Sequence, residues 1–396
     1  MKRILVVTEV FWPESGLVND FVLELLNRGY RVDVLTQHPS YPYGRIYPGY
    51  ANVPYAAEQW HGATIHRFPL VEGYRESKVR KVLNYRMFVR KGKELARRIG
   101  ADYDHVVVYQ TGPLTVALPG VEIKRRYGTP LTVWTFDIWP DAVYAYGFPR
   151  VFPLTAFLNR IIRTVYRAAD NILVSSQAFA QIIRPYVPQR EIVYAPNWLT
   201  GTGSQQPSDL RFDPSRFHFT FAGNISISQN LDKVLGAWKE AALTDADLNI
   251  VGDGSALESL KKQVAEQGIE NVRFHGRYPS DQMADILRRS DALVLSLVAA
   301  PGVGSTEPFK LQAYLDAGRP ILGAIDGPGR EMIEQNGLGL CARPDDVAGI
   351  ARQFSRMKDF VGTTADGVAE RSRALLASRF DKQKTLDKVL ACIERA

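Results

Sequence analysis

The stretch that decides the fold reads Ser305-Thr306-Glu307-Pro308-Phe309-Lys310-Leu311-Gln312-Ala313-Tyr314-Leu315-Asp316-Ala317-Gly318-Arg319-Pro320-Ile321-Leu322. Ser305 or Thr306 can cap a helix, and Pro308 suits its first turn. Gly318 ends that helix, and a buried strand follows Pro320. The free N–H groups of the first turn and the helix dipole attract an anion, and Lys310 adds a full positive charge there. The stretch therefore predicts a diphosphate site at the start of a helix, with an ordinary helix and a surface lysine as the alternative.

Short apolar strands alternate with helical stretches through the whole chain. We expect strands in the first half at 4–8, 31–36, 64–68, 105–109, 131–135, 171–174 and 192–195, and in the second half at 217–222, 247–251, 272–275, 292–297, 321–324 and 339–342. Strands rich in Val, Ile and Leu with helices between them indicate parallel sheets covered on both faces. Two such series predict an α/β protein of two doubly wound, Rossmann-like domains that face a central cleft, with ligands at the carboxyl ends of the strands.

Length and composition agree with this architecture. The chain has 396 residues, 45% of them hydrophobic and 23% charged, as in soluble globular proteins of two domains. We expect domains at 1–199 and 200–379, joined by the polar segment 199–209, and a C-terminal helix at about 380–396 that contacts the first domain. Two cysteines offer neither a disulfide framework nor a metal-binding spacing. With no apolar run long enough to cross a membrane, a cytoplasmic location is expected.

The net charge of +7 is unevenly placed. Residues 1–199 hold 25 Lys and Arg against 16 Asp and Glu, whereas the remainder holds 24 against 26. Two basic stretches, 75–98 and 151–167, interleave arginine and lysine with apolar residues, as helices that lie on anionic lipid do. The alternative is a helix that packs on the sheet and leaves its charges in water. No recognised nucleic-acid motif accompanies the charge, so nucleic acid is not an expected partner.

Three loops in the second half follow strands and are candidates for ligand binding. The first holds Gly223, Asn224 and Ser226, where a backbone without a side chain and nearby hydroxyls can cradle a phosphate. The second holds Gly252 and Asp253, and it lacks the third glycine of a dinucleotide fingerprint. In the third, His275 and Arg277 are candidates for a nucleotide pocket, with a structural role equally open.

Two loops in the first half are also candidates. Ser15 and Gly16 follow the first strand and open a helix, which suits close approach of a sugar or phosphate. Asp137 and Asp141 follow the strand at 131–135 and flank a tryptophan, which is typical of a sugar contact. Asp141 can instead cap the next helix.

These landmarks, taken in order, resemble glycosyltransferase family 4, whose members have the two-domain GT-B fold. The resemblance rests on Glu14-Ser15-Gly16, Asp137-Ile138-Trp139-Pro140-Asp141, Gly223-Asn224, Gly252-Asp253-Gly254 and Pro308-Phe309-Lys310-Leu311 with Gly318. The chain is most similar to the fucosaminyltransferase-like enzymes of bacterial O-antigen and capsule assembly. The resemblance implies a retaining, metal-independent enzyme that uses a nucleoside diphosphate sugar, UDP favoured, and no cofactor. It also implies a lipid-linked or saccharide acceptor and a position at the inner face of the membrane.

The resemblance also assigns roles to residues. Lys310 and Asp137 are the catalytic candidates, and the substrate-binding candidates are Ser15, Gly16, Gly223, Asn224, Ser226, Gly252, Asp253, His275, Arg277, Thr306, Glu307, Pro308, Phe309, Leu311 and Gln312. The chain departs from the family at Ala313, where a Glu usually contacts the donor ribose, and at Ser305, where a second Glu is frequent. Glu307 or Gln312 can take over part of that role.

Two alternatives stay open because of these departures. The first is an enzyme of the same fold that splits the sugar–UDP bond by hydrolysis, like a hydrolysing 2-epimerase. The second is a non-catalytic protein that binds the membrane surface on a decayed transferase fold. The first requires acid and base residues that the motifs do not identify, and the second requires the loss of nucleotide binding.

Overall fold

A computed structural model of the chain describes residues 2–145, 148–200, 206–300, 302, 304–364 and 366–395. It divides into two compact units, unit 1 with Met1–Pro196 and Gln383–Ala396, and unit 2 with Asn197–Lys382. Each unit is a mostly parallel sheet between helices, as the predicted alternation of strands and helices requires. Residues 201–205 of the expected linker lie outside the described residues.

Unit 1 is built on an eight-stranded sheet. Its strands are β1 (Arg3–Thr8), β2 (Arg31–Gln37), β3 (Ala56–Trp60), β4 (Ala63–Phe68), β5 (His105–Gln110), β6 (Leu131–Thr135), β7 (Asn171–Val174) and β8 (Ile192–Tyr194). Its helices are α1 (Leu17–Asn27), α2 (Lys78–Ile99), α3 (Leu118–Tyr127), α4 (Asp141–Ala145), α5 (Phe152–Ala168) and α6 (Gln177–Ile183). The strand order is β3-β4-β2-β1-β5-β6-β7-β8, so the sheet grows outward in both directions from the β1–β5 pair.

Unit 2 is built on a six-stranded sheet. Its strands are β9 (Phe217–Ala222), β10 (Ala246–Val251), β11 (Val272–Gly276), β12 (Ala292–Ser296), β13 (Ile321–Ala324) and β14 (Gly339–Ala342). Its helices are α7 (Leu231–Ala241), α8 (Leu257–Gln267), α9 (Met283–Arg289), α10 (Phe309–Ala317), α11 (Gly327–Gln335), α12 (Val347–Thr364) and α13 (Val368–Arg379). The order β11-β10-β9-β12-β13-β14 is parallel throughout, and its direction of growth reverses between β9 and β12.

The last helix, α14 (Lys382–Glu394), returns to unit 1. Asn171 Nδ2 donates to the carbonyl of Cys392 at 3.0 Å, and Lys2 Nζ donates to that of Ile393 at 2.8 Å. Its buried face carries Leu386, Val389 and Ile393. These contacts tie both termini of the described chain to the amino edge of the same sheet.

The structure confirms the expected strands, several of them with the predicted bounds. One strand was missed: β3 pairs antiparallel with β4 at the edge of the unit 1 sheet, from Ala56 opposite Arg67 to Trp60 opposite Ala63. Its sequence, Ala-Ala-Glu-Gln-Trp, is poor in the β-branched residues that usually mark a strand. The pairing with β4 therefore decides its structure more than its own propensity does.

For the helix of the opening stretch, the sequence predicted the C-terminal end correctly and the N-cap residue wrongly. α10 begins at Phe309 with Pro308 in the N-cap position, and no side chain caps it, so neither Ser305 nor Thr306 has that role. Gly318 ends the helix with a φ of 66°, and a Cβ there would lie 2.9 Å from the Cβ of Ala369. This position requires glycine both for its backbone and for the close approach of α13.

Candidate functional site

The carboxyl ends of the unit 2 strands carry three loops that hydrogen bonds join into one surface. Gly223 N donates to Val251 O at 2.9 Å, Ile225 N to Asp253 O at 2.9 Å, and Gly252 N to Gly276 O at 2.7 Å. Gly252 has a φ of 140°, and a Cβ there would collide with the carbonyl of Gly223. The backbones approach each other so closely that Gly252 admits no side chain.

Lys310 lies against the first of these loops. Its Cε and Nζ are 3.0 and 3.3 Å from the place where a Cβ on Gly223 would stand. Its Nζ donates to Gln229 Oε1 at 2.7 Å and sits 3.5 Å from the centre of the Phe221 ring. The structure thus brings the predicted Lys310 and Gly223 together, and it adds Gln229 and Phe221, which the sequence motifs did not mark.

The ammonium of Lys310 has no negative partner among the residues that the structure describes. Burial alone lowers the pKa of Lys310 well below its usual value, since the surrounding atoms displace the water that would solvate the charge. A desolvated cation beside a glycine loop favours an anion, and the first N–H groups of α10 have no partner within the helix. We call this arrangement of Gly223, Gln229 and Lys310 the Lys310 site.

The loop that carries Gln229 is fixed from several sides. Val298 N donates to Ser228 O at 3.0 Å, and Ser296 Oγ donates to Gln229 O at 2.5 Å. The hydroxyls of Ser226 and Ser228 are 2.8 Å apart at the surface. The Lys310 site therefore lies at the β9–β12 reversal of the sheet, the place where open α/β sheets bind ligands.

Other predicted residues of unit 2 have roles in the fold. Glu307 pairs with Arg379 of α13, with 2.8 Å between Oε1 and Nη2, and its side chain is only 2% exposed. His275 Nε2 lies 2.9 Å from Asn249 Oδ1, and burial lowers the pKa of His275. Gln312 is buried and donates to Asn197 O at 3.1 Å. These contacts hold the three side chains to neighbouring elements of unit 2.

The remaining candidates of unit 2 fall into two groups. Asn224, Asp253, Arg277 and Phe309 are exposed at strand ends or at the start of α10. Leu311 is fully buried in the core, and Pro308 and Thr306 are half-buried before the helix. Ala313 packs against the same core as Leu311. The position where the family usually has a Glu therefore holds a side chain that contributes to packing.

A second site lies at the β1–β5 reversal of the unit 1 sheet. Glu9 follows β1, and a Cβ on Gly112 would collide with its carboxylate. Gln110, at the end of β5, donates from Nε2 to Gly112 O at 2.5 Å and to Asp137 O at 3.0 Å. One amide thus ties the loop after β5 to the predicted Asp137 after β6.

Both carboxyls of this site have a raised pKa. Burial raises the pKa of Asp137 to about 7 and that of Glu9 to about 7; the charge of Glu9 adds to the rise at Asp137, and the charge of Glu14 adds to the rise at Glu9. Lys81, in the first turn of α2, opposes this and lowers both values. We call Glu9, Lys81, Gly112 and Asp137 the Asp137 site. The sequence motifs identified only Asp137; the one available signal for Glu9 was its position directly after the first strand.

The predicted Ser15 and Gly16 are exposed at the start of α1. Gly16 has an extended backbone with a φ of −171°, which any residue adopts, and an added Cβ would only touch Val18 at 3.7 Å. Nothing in the described backbone requires a glycine here. The adjacent Glu14 is buried and accepts hydrogen bonds from the backbone of Phe11 and Ser40, so it fixes the 38–50 loop.

The structure also bears on metal and membrane binding. Within the described residues no group of three or more His, Cys, Asp or Glu is placed to hold a metal ion. None of the described helices is long and apolar enough to span a bilayer.

Comparison with known families matches both units. The family described as Glycosyl transferase 4-like domain matches residues 17–198, and that described as Glycosyl transferases group 1 matches residues 216–359. The chain is similar to the probable glycosyltransferase WbjE of Pseudomonas aeruginosa, with 22% identity over 303 residues, 73% of this chain and 74% of the relative. It is also similar to the putative colanic acid biosynthesis glycosyl transferase WcaI of Escherichia coli K12, with 24% identity over 403 residues, 93% of this chain and 96% of the relative.

Two solved structures share the fold over the whole chain. Sucrose-phosphate synthase from Thermosynechococcus elongatus superposes with a TM-score of 0.76 at 14% identity, covering 100% of this chain and 99% of that one. Anabaena Alr3699/HepE in complex with UDP and glucose superposes with a TM-score of 0.71 at 14% identity, covering 100% of both chains.

Proposed function

Since the chain belongs to the glycosyltransferases with a 4-like and a group 1 domain in the GT-B fold, we propose that it transfers a sugar, with retention of configuration, from a nucleoside diphosphate sugar. A UDP sugar is favoured because Alr3699/HepE, with the same fold, is found with UDP and glucose. The acceptor is a lipid-linked or other saccharide of a surface polysaccharide, in keeping with the name of the colanic acid relative.

The observation that carries this proposal is the Lys310 site. The Lys310 ammonium is deprived of water by burial and has no carboxylate partner among the described residues. It lies against a glycine loop at the sheet reversal. The diphosphate of the donor supplies the missing negative charge. As the bond between the sugar C1 and the phosphate oxygen breaks, charge grows on that diphosphate, and Lys310 with the start of α10 stabilises it. Only the part of this attraction that strengthens in the transition state accelerates the step.

The Asp137 site contributes to binding the acceptor. A carboxyl with a pKa of about 7 has substantial neutral and ionised populations near neutrality, so it can accept a hydrogen bond from a sugar hydroxyl or donate one. In the retaining reaction that we propose, the acceptor oxygen forms the new bond to C1, and its proton passes to the departing phosphate. Asp137 and Glu9 then orient the hydroxyl, and no protein base is needed.

One observation favours a second candidate, hydrolysis of the sugar–UDP bond. A hydrolase of this fold requires an acid and a base, and Glu9 and Asp137 form a pair with suitably raised pKa values. The two candidates differ in a simple respect. A hydrolase releases free sugar and UDP without an acceptor, whereas a transferase turns over only when the acceptor is present.

The proposal is tested first by nucleotide binding. Thermal unfolding is measured with UDP, GDP, ADP and dTDP for the wild type, Lys310→Ala and the exposed control Lys239→Ala. A ligand at a hundred times its Kd adds about 2.7 kcal/mol of stability. We expect one nucleotide to stabilise the wild type and the control, and to lose most of its effect in Lys310→Ala. If none stabilises the wild type at millimolar concentration, the proposal fails and the non-catalytic alternative gains support.

UDP release from UDP sugars then separates the candidates. With polyprenyl-diphosphate-linked saccharides present, we expect UDP release and an extended lipid-linked product in the wild type and the Lys239→Ala control only. UDP release that is independent of acceptor, with free sugar as the product, would replace the transferase by the hydrolase.

A further inference from the structure

Unit 1 has a basic groove at the carboxyl ends of α3 and α5, which we call the arginine groove. It encloses a cavity of about 790 Å³. The basic residues that line it are Lys124, Arg125, Arg160, Arg163, Arg167 and Arg190. One carboxylate, Asp170, lies among them. Because α5 leads into β7, the groove is at the amino end of the sheet, the opposite end from Asp137.

The single carboxylate of the groove is already engaged. Asp170 pairs with Lys124 at 2.9 Å and accepts from Leu131 N at 2.7 Å, so it holds the start of β6. Arg190 donates to the carbonyl of Asp170 at 3.4 Å. The guanidinium groups of Arg125, Arg160, Arg163 and Arg167 make no hydrogen bond or ion pair to any residue that the structure describes.

The geometry of α5 places like charges side by side. Arg160, Arg163 and Arg167 are three and four residues apart, which puts them on one exposed face of the helix within about 11 Å along its axis. Like charges at this spacing repel and destabilise the helix, so the arrangement has a cost in the free protein. An anion with several negative charges removes that cost. Arginine also suits phosphate, since its planar guanidinium can donate two parallel hydrogen bonds.

We propose that the arginine groove is a phosphate-binding site, separate from the Lys310 site and independent of the transfer reaction. Its ligand presents at least two phosphate groups close together. These groups belong either to a soluble diphosphate compound or to adjacent headgroups of an anionic lipid surface. The second source has a structural argument in its favour: the same exposed face of α5 begins with Phe152, 84% exposed, and Phe157, 58% exposed.

The test uses the full chain and two probes. Pyrophosphate is titrated by calorimetry, and vesicles of phosphatidylcholine with or without phosphatidylglycerol are tested by flotation. The groove variant is Arg163→Ala/Arg167→Ala. The matched control is Arg352→Ala/Arg356→Ala, which removes two exposed arginines at the same spacing from α12 of unit 2, outside both basic stretches. Both pairs are also made in the Lys310→Ala background, so that pyrophosphate at the Lys310 site does not enter the comparison.

We expect the groove variant to bind at least one probe about tenfold more weakly, because two charge-assisted contacts are lost, and the control to change less than twofold. The effect should be the same in the Lys310→Ala background. Loss of pyrophosphate binding identifies a soluble ligand, and loss of binding only to phosphatidylglycerol vesicles identifies a lipid surface. The proposal is overturned if neither probe depends on the groove, or if the control pair weakens binding equally. Since Arg163 and Arg167 are both exposed, the unfolding temperature of the groove variant without ligand should equal that of the wild type or be higher.

Discussion

Replacing Lys310 by methionine should weaken UDP binding without destabilising the free protein. Methionine keeps much of the apolar length of the side chain and removes the ammonium that burial deprives of water. In the free protein this ammonium donates one hydrogen bond within the part of the chain that the structure describes, to Gln229 at 2.7 Å, and it contacts the Phe221 ring. A hydrogen bond to a charged group contributes about 1.5–3 kcal/mol. A variant that cannot make this hydrogen bond to the diphosphate should have a Kd for UDP that is roughly 10- to 100-fold higher.

The assay is thermal unfolding at a UDP concentration a hundred times the wild-type Kd. The stabilisation of about 2.7 kcal/mol in the wild type should fall to roughly 1.4 or 0.4 kcal/mol in Lys310→Met for a 10- or 100-fold weaker Kd. Lys239→Met, on the exposed last turn of α7, is the matched control and should behave like the wild type. The reasoning is refuted if UDP stabilises Lys310→Met as much as the wild type.

The same variant tests the sign of the pH dependence. Because the pKa of Lys310 is lower in the folded than in the unfolded state, the unfolded state binds more protons above that lowered pKa. The free energy of unfolding of the wild type therefore gains a contribution that rises with pH until the ordinary lysine pKa of about 10.4. Lys310→Met lacks this rise. If the free energy of unfolding depends on pH in the same way in the wild type and in Lys310→Met, the assigned burial of the ammonium is contradicted.

Three further predictions concern other parts of the two sites. Gly252→Ala, whose Cβ would collide with the carbonyl of Gly223, should destabilise unit 2 by about 1–3 kcal/mol and abolish nucleotide stabilisation. Gly362→Ala, with open space around its Cβ and no positive φ, is the control, and equal UDP binding in both would be contrary evidence. Glu307→Gln removes the charge of a carboxylate that is 2% exposed and pairs with Arg379 at 2.8 Å, and it should cost about 1–3 kcal/mol in denaturant unfolding, whereas an unchanged midpoint would show that the pair is weak. The carboxyls of Glu9 and Asp137 have a pKa of about 7 in the folded state, so between about pH 4 and 7 the folded state binds more protons and their contribution to stability falls as pH rises. The double variant Glu9→Gln/Asp137→Asn should flatten this dependence of the free energy of unfolding on pH. A wild-type slope in that variant would count against the shared burial.

The parallel strands could be predicted from the sequence because their apolar runs are local signals. The strands 131–135, 171–174 and 217–222 were predicted with the bounds that the structure has. The left-handed end of α10 was equally local, since a glycine before Arg319-Pro320 leaves few other conformations. The antiparallel β3 was not predictable in this way, because its polar sequence becomes a strand only beside β4.

The sites were only partly predictable for a similar reason. Lys310 was visible in its motif, but its hydrogen bond to Gln229 joins residues 81 positions apart. Glu307 was taken as a substitute for the usual Glu of the family, and the sequence did not indicate that Arg379, 72 positions away, engages it. Glu9 and Asp137 come together only because β1 and β6 flank the same strand, β5. Local patterns thus indicated single residues, and the order of the strands decided which of them meet.

The most direct test of the account is a crystal structure of the protein with UDP. We predict that an oxygen of the diphosphate lies about 3 Å from Lys310 Nζ, beside the backbone of Gly223 and the start of α10, and that the ammonium turns from Gln229 to the phosphate. UDP bound elsewhere, with the hydrogen bond between Lys310 and Gln229 intact, would contradict the assignment of the Lys310 site as the donor site.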